Sequence, residues 1–313
     1  PHDVLLQQLG TICDAPATSW FKNYLDTRTF SVRVQHHLSS PRPVKSGVPQ
    51  GSHLGPLLFL VHINSLPSAS KRNQHADVYL FADDTAVGQA RTKGTSPMET
   101  ALQDTFAWAD RVGGTFNPSK TVVISFAEEG AAETIRGIQP STSHRHLGVL
   151  LSETLSFQEH IEQTISKFRQ RCVLLCHMAD RLTGDIVRKL YLTYVRPTAE
   201  YAAPVWESSL SAAQRLTLER LQARVARTVM RLERCPCPSD EPKSSLFKQL
   251  GWPSLSWRRK IACLMEFFHL VTTQPELFEA AGYCPTRSRR RQLAFTLPRV
   301  GKHAGRSFLF FTA

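Results

Sequence analysis

No run of 18 or more apolar residues occurs in the chain, which excludes a helical membrane span and any membrane partner that depends on one. No secretory leader is expected, because Pro1-His2-Asp3 opens directly onto Val4-Leu5-Leu6, with no basic flank and no initiating Met. The absent Met leads us to expect a segment cut from a longer polypeptide. Cysteine is sparse and odd in number, seven in 313 residues, so no disulfide framework is expected. A reducing compartment, nucleus or cytoplasm, is the expected setting. No internal repeat or long low-complexity run is visible either. What remains is ordinary globular composition, 42% hydrophobic and 20% charged, in a chain long enough for two lobes.

Charge is unevenly placed. The 38 Lys and Arg against 26 Asp and Glu give +12. Residues 1–154 hold 13 basic and 13 acidic side chains, whereas residues 155–313 hold 25 and 13. An excess confined to one half points to a polyanion-binding face, for nucleic acid or an anionic membrane surface.

Patterning divides the chain at the same place. In the first half, Ser31–Val34 and Val44–Val48 read as extended segments around a His36–Pro43 turn, a hairpin. A buried helix is expected over Pro56–Ile63, ended by Leu66-Pro67. Asp77–Ala82 and Thr85–Val87 read as two strands about an Asp83-Asp84 tip. Helix follows over Pro97–Val112, then strands at Thr121–Phe126 and Leu147–Leu151, giving an α+β half with an antiparallel sheet and packed helices. In the second half, Phe157, Ile161, Ile165, Phe168, Cys172 and Leu175 recur at helical spacing, and Ile186, Leu190 and Tyr194 form a second stripe until Pro197. A third helix buries Leu218, Leu221, Val225, Val229 and Leu232. Its arginines, Arg220, Arg224, Arg227, Arg231 and Arg234, share an arc of roughly 80° on the far side. Without interleaved glutamates that face lacks the pairing of an ordinary solvated surface and suits phosphates. A linker spans Cys235–Pro242, and a last helical region from Ser254 leads to a basic tail at Arg287–Arg291.

Two adjacent carboxylates repel one another, and a hard cation such as Mg²⁺ is their natural compensation. By itself Asp83-Asp84 reads as an acidic turn exposed to water, and only its context favours metal. Gly47-Val48-Pro49-Gln50-Gly51-Ser52, 32 residues before Asp83, combines glycines that permit close backbone approach with a helix N-terminus. Alone it is a turn.

Together the motifs carry a resemblance. Gly47-Val48-Pro49-Gln50-Gly51-Ser52-His53-Leu54-Gly55-Pro56-Leu57-Leu58-Phe59 followed by Phe81-Ala82-Asp83-Asp84 resembles the reverse transcriptases of non-LTR, LINE-type retrotransposons. Phe116-Asn117-Pro118-Ser119-Lys120-Thr121 is similar to the family's next palm motif, and His146-Leu147-Gly148-Val149 to its primer grip. The Tyr191–Gln222 stretch resembles its thumb, and Gly251-Trp252-Pro253 with Arg258-Arg259 the region beyond. The resemblance implies a palm over 1–154, an all-helical thumb over 155–234 and a linker with a basic helical region over 235–313. It implies an RNA-directed DNA polymerase that takes an RNA template, a DNA primer and deoxynucleoside triphosphates. Asp83 and Asp84 would hold Mg²⁺, with Mn²⁺ as a substitute. Gln50 and Gly51 would border the nascent pair and Lys120 would approach the triphosphate.

Departures set further expectations. The family's other metal-binding Asp lies on a strand upstream of Pro1, and Asp3, Asp14 and Asp26 do not match its motif. The fingers are upstream too, in what is expected to be the N-terminal part of the same polyprotein. Binding of metal and duplex without efficient primer extension follows as an expectation, and a binding-only remnant is the rival reading. A nuclease using the acid pair is a third, with no further carboxylate or His cluster to support it. Cys235 and Cys237 with Cys263, His269 and Cys284 do not have zinc-knuckle spacing, and Cys172 reads as a core thiol.

Overall fold

The computed structural model describes residues 1–67, 76–90, 97–117, 119–126, 134–135, 137–234 and 243–274, and the backbone of 285–287, 293–295 and 306–311. The chain divides into two compact units, Pro1–His144 with His303–Ala313, and Arg145–Lys302. The expected linker at 235–242, with Cys235 and Cys237, and residues 288–292 of the basic tail lie outside the described residues.

In the first unit, α1 (His2–Leu9) precedes α2 (Ala15–Asp26). The Asp14 carboxylate accepts the Ala17 N–H at 2.9 Å and starts α2, with Pro16 in its first turn. Leu5, Leu9 and Leu25 close over Leu58 of α3 (Gly55–Ile63). Expected to be buried, α3 is only half so: Leu57 and Leu60 are 58% and 51% exposed. A segment apolar on every side carries no polar stripe to mark which side meets solvent.

Preceding α3, four two-residue strands form a nested ribbon. β1 (Thr29–Phe30) pairs with β4 (Arg42–Pro43), and β2 (Arg33–Val34) with β3 (His37–Leu38). The turn therefore sits at Gln35, at φ 53°, and the returning strand occupies 37–43 instead of following Val44. Proline does not prevent this, because an edge strand tolerates a missing N–H.

The main sheet begins with the hairpin of β5 (Ala76–Phe81) and β6 (Asp84–Ala90). Its order is β5-β6-β12-β7, all antiparallel, where β7 is Val122–Ser125 and β12 Arg306–Phe311. Val78 and Leu80 share clusters with Phe59 and Ile63 of α3 and with Trp108 of α4 (Pro97–Val112), while Val87 and Val123 pack with Met98, Ala101 and Leu102. This is the expected α+β arrangement. β12 was not expected, since its region read as helical and basic. Its backbone pairs with both β6 and β7, a partnership between distant segments that local patterning does not announce.

The boundary between units falls within β8 (Ser143–His146), which pairs with β9 (Val149–Ser152). One short strand at Leu147–Leu151 was expected; Leu147 and Gly148 are instead the turn, at φ 45° and 81°. Ser143-His144-Arg145-His146 has no apolar alternation to announce a strand.

Beyond β9 the second unit is helical over its longest described stretches. α5 (Gln158–Met178) buries Ile161, Phe168, Cys172 and Leu175 as its stripe requires. α6 (Gly184–Leu190) runs into a π-helical segment, Tyr191–Val195. Here the expected face is one residue out: Ile186, Leu190 and Tyr194 are exposed, and Val187, Tyr191 and Val195 are buried. Two apolar stripes lie side by side, and only packing selects between them. After α7 (Ala203–Trp206), a reciprocal Ser211/Gln214 capping box opens α8 (Ala212–Leu232). α9 (Lys243–Leu250) and α10 (Leu255–Thr273) follow, then a short hairpin of β10 (Pro285–Arg287) and β11 (Leu293–Phe295). At the centre, Tyr191 stacks on Trp252 at 4.5 Å. Its hydroxyl donates to Gln222 Oε1 at 2.6 Å, and Gln222 Nε2 donates to the Pro253 carbonyl. No described helix is long and apolar enough to cross a membrane.

Candidate functional site

The loop before α3 is held by its own polar groups. Ser52 Oγ donates to the Pro49 carbonyl at 2.8 Å and accepts the Gly55 N–H at 2.9 Å, drawing the turn tight. A Cβ at Gly55 would stand 2.5 Å from the Pro49 oxygen, and Gly51 has φ 77°, so both positions need glycine. His2 Nε2 lies 2.8 Å from the Gly47 carbonyl and ties the loop to α1. Gln50 and Gly51 are exposed.

The β5–β6 tip differs by one residue from expectation. Ala82, at φ 51°, and Asp83 make the turn, and Asp84 is the first residue of β6, paired with Phe81. Because strand residues alternate and Val78 and Leu80 face α3 and α4, this register sets Asp84 on the opposite face with exposed Tyr79 and Phe81. Asp83 is exposed and Asp84 half-exposed. Sequence reasoning missed a neighbour, His144 of β8. Burial pushes its imidazole below the usual histidine value, and the charge of Asp84 pulls it back up. Nothing in the His-rich Ser143–His146 stretch distinguishes that residue in advance.

Exposed carboxylate oxygens suit a hard divalent cation. Among the described residues no group of three or more His, Cys, Asp or Glu that could hold a metal ion gathers. Lys120 is exposed, two residues before β7 leads into the same sheet. Its turn is organised by Asn117, whose Oδ1 accepts from the Ser119 N–H and hydroxyl and whose carbonyl accepts the Lys120 and Thr121 N–H groups. Gln50, Gly51, Asp83, Asp84 and Lys120 thus all belong to the first unit.

The arginine face belongs to the second. Arg220, Arg224, Arg227 and Arg231 are exposed along α8, and Arg234 lies just past its end at φ 55°. Arg231 reaches Asp180 at 3.1 Å across solvent. Glu219, next to Arg220, instead accepts the Ser256 N–H, away from that face. At the β8–β9 turn, the Tyr201 hydroxyl donates to the Leu147 carbonyl at 2.7 Å while its ring lies over Gly148. Cys172 is a core thiol, pushed up to about 12 by burial.

Residues 1–151 match the family described as "Reverse transcriptase (RNA-dependent DNA polymerase)". That match and the relatives of the chain support a LINE-type, non-LTR reverse transcriptase. A "Probable RNA-directed DNA polymerase from transposon BS" of Drosophila melanogaster is 28% identical over 253 residues, 75% of this chain and 27% of that protein. An "RNA-directed DNA polymerase from mobile element jockey" of Drosophila funebris is 30% identical over 267 residues, 77% and 29% of the two chains. A "Probable RNA-directed DNA polymerase from transposon X-element" of Drosophila melanogaster is 27% identical over 243 residues, 73% and 26%. The chain spans roughly a quarter of the length of these relatives. No solved structure matches.

Proposed function

We propose that this chain contributes the palm (1–154), the thumb (155–234) and a linker with a basic C-terminal region (235–313) to a LINE-type RNA-directed DNA polymerase. The reaction is attack of a DNA primer 3′-hydroxyl on the α-phosphorus of a deoxynucleoside triphosphate, with pyrophosphate leaving, directed by an RNA template. The observation that carries this reading is the solvent-open acid pair at the β5–β6 tip, inside the segment that matches the family. Asp83 and Asp84 would offer oxygen ligands to Mg²⁺ or Mn²⁺; when bound, such ions steady the attacking and leaving oxygens. Gln50 and Gly51 would border the nascent pair, Lys120 would meet the triphosphate, and the α8 arginines would hold the duplex backbone. The protein acts in the nucleus or cytoplasm, with the N-terminal part of the same polyprotein as a partner.

Primer extension on an RNA template with Mg²⁺ or Mn²⁺, in a polypeptide containing residues 1–313, tests the assignment. Asp83→Asn and Asp84→Asn are each expected to reduce extension by about a hundredfold or more, the scale of losing charge stabilisation in the transition state. Extension unchanged by both substitutions overturns the assignment. Duplex binding with no extension in the parent polypeptide supports the binding-only remnant.

A further inference from the structure

The nested ribbon ahead of α3 takes no part in the site described above, yet its exposure and charge are unusual. Every residue from 29 to 43 is exposed, including Phe30, Val32, Val34 and Leu38 at 50%, 53%, 65% and 68%. A lone two-stranded ribbon with apolar side chains in water is marginal and calls for a partner. Charge specifies the kind of partner. From residue 27 through 76 there is no Asp or Glu, while Arg28, Arg33, Arg42, Lys45, Lys71 and Arg72 fall in that stretch. Arg28 is engaged locally, its Nε donating to the Tyr24 carbonyl with the guanidinium over the Tyr24 ring. Arg33, Arg42 and Lys45 are exposed and form no ion pair among the described residues.

The register then sets apolar and basic groups side by side. Directly paired residues share a face: Phe30 with Arg42, Arg33 with Leu38, and Val34 with His37. Paired numbers sum to 72 at the base and 71 nearer the turn, so the returning strand carries one extra residue, a bulge that twists the ribbon. Apolar and basic residues therefore occupy both faces. A membrane-lying element needs its apolar residues on one face. Edge pairing with a second copy is opposed by Pro41 and Pro43 on the returning strand. An unpaired nucleic-acid strand presents phosphates and unstacked base faces together, the complement of a cation beside an apolar side chain. We infer that the ribbon of residues 28–45 grips single-stranded nucleic acid, the template outside the duplex. This rests on the polymerase reading above.

The test is fluorescence anisotropy across a KCl series with three labelled probes: a single-stranded RNA, an RNA–DNA hybrid and a DNA duplex. Reversing Arg33, Arg42 and Lys45 together to Glu is expected to weaken single-strand binding about tenfold or more and to flatten its log-log salt slope by roughly 2, about 0.7 per phosphate neutralised. Hybrid and duplex binding should change by less than about twofold. Phe30→Ser with Val34→Ser should lower single-strand affinity several-fold with the salt slope intact, and an unchanged melting temperature shows that these exposed changes leave the fold alone. Single-strand binding and slope unchanged by the charge reversal overturn the ribbon assignment but leave the polymerase reading standing if reversal of the α8 arginines still weakens duplex binding. Equal losses on all three probes overturn the single-strand preference. Binding of phosphatidylserine vesicles that depends on Phe30 and Val34, without RNA binding, overturns the choice of partner. No binding of any nucleic acid overturns both readings.

Discussion

His160 accepts the Leu150 N–H through Nδ1 at 3.3 Å, and its ring meets Trp206 edge-on at 6.0 Å. Acceptance requires the neutral imidazole. Burial, then the nearby Arg145 and Lys167 charges, lower its pKa from 6.5. The unfolded chain therefore takes up the proton first. The stabilisation from neutral His160 is present above the unfolded value of 6.5 and is lost as pH falls below it toward the folded value. His160→Asn is expected to flatten the fall in melting temperature between pH 7 and roughly 5.5. A variant with the same pH dependence as the parent refutes this role. At this scale the sequence was legible in kind but not in partners. The acid pair was visible as a pair, whereas the one-residue shift that makes Asp83 a turn residue and Asp84 a strand residue was not. Ala82 occupies the left-handed region that local rules reserve for glycine or asparagine, so no residue type marked the turn.

Among the elements of the second unit, buried charge outweighs exposed charge. Glu207, after α7, accepts from Arg215 of α8 at 3.1 Å and from Arg259 of α10 at 2.6 Å, and Arg259 is wholly buried. Arg259 also lies 5.8 Å from the Trp206 ring centre, while its Nη1 and Nη2 have no hydrogen-bond partner. Removing the Glu207 charge would leave a buried cation with no counterion. Glu207→Gln is expected to cost about 3–5 kcal/mol in urea unfolding. Asp185→Asn, which breaks a Lys189 pair exposed at 73% and 65%, is expected to cost less than about 0.5 kcal/mol. Equal effects would show that burial does not control these pairs. Element ends were readable where backbone chemistry punctuates them: Pro97 opens α4 and Gly113, at φ 67°, follows its end. They were unreadable where two apolar stripes competed, as along α6.

For the whole molecule, the basic excess and the acid pair belong to different units. Reversing Arg220, Arg224 and Arg227 to Glu should weaken binding of duplexes of every sequence and flatten the salt slope by about 0.9 for each phosphate no longer neutralised. Unchanged affinity and slope would mean that α8 presents only a solvated surface. Composition and spacing by themselves determined the α+β and helical halves, the asymmetry of charge and the motifs that carry the family, because periodicity and turn chemistry are local. Tertiary structure alone decided that β12 completes the main sheet, that Val187, Tyr191 and Val195 face the core, that His144 stands near Asp84 and that the 28–45 ribbon is exposed. Those outcomes depend on which distant segment covers a given face or edge, and a side chain's burial is set by that partner as much as by its own polarity.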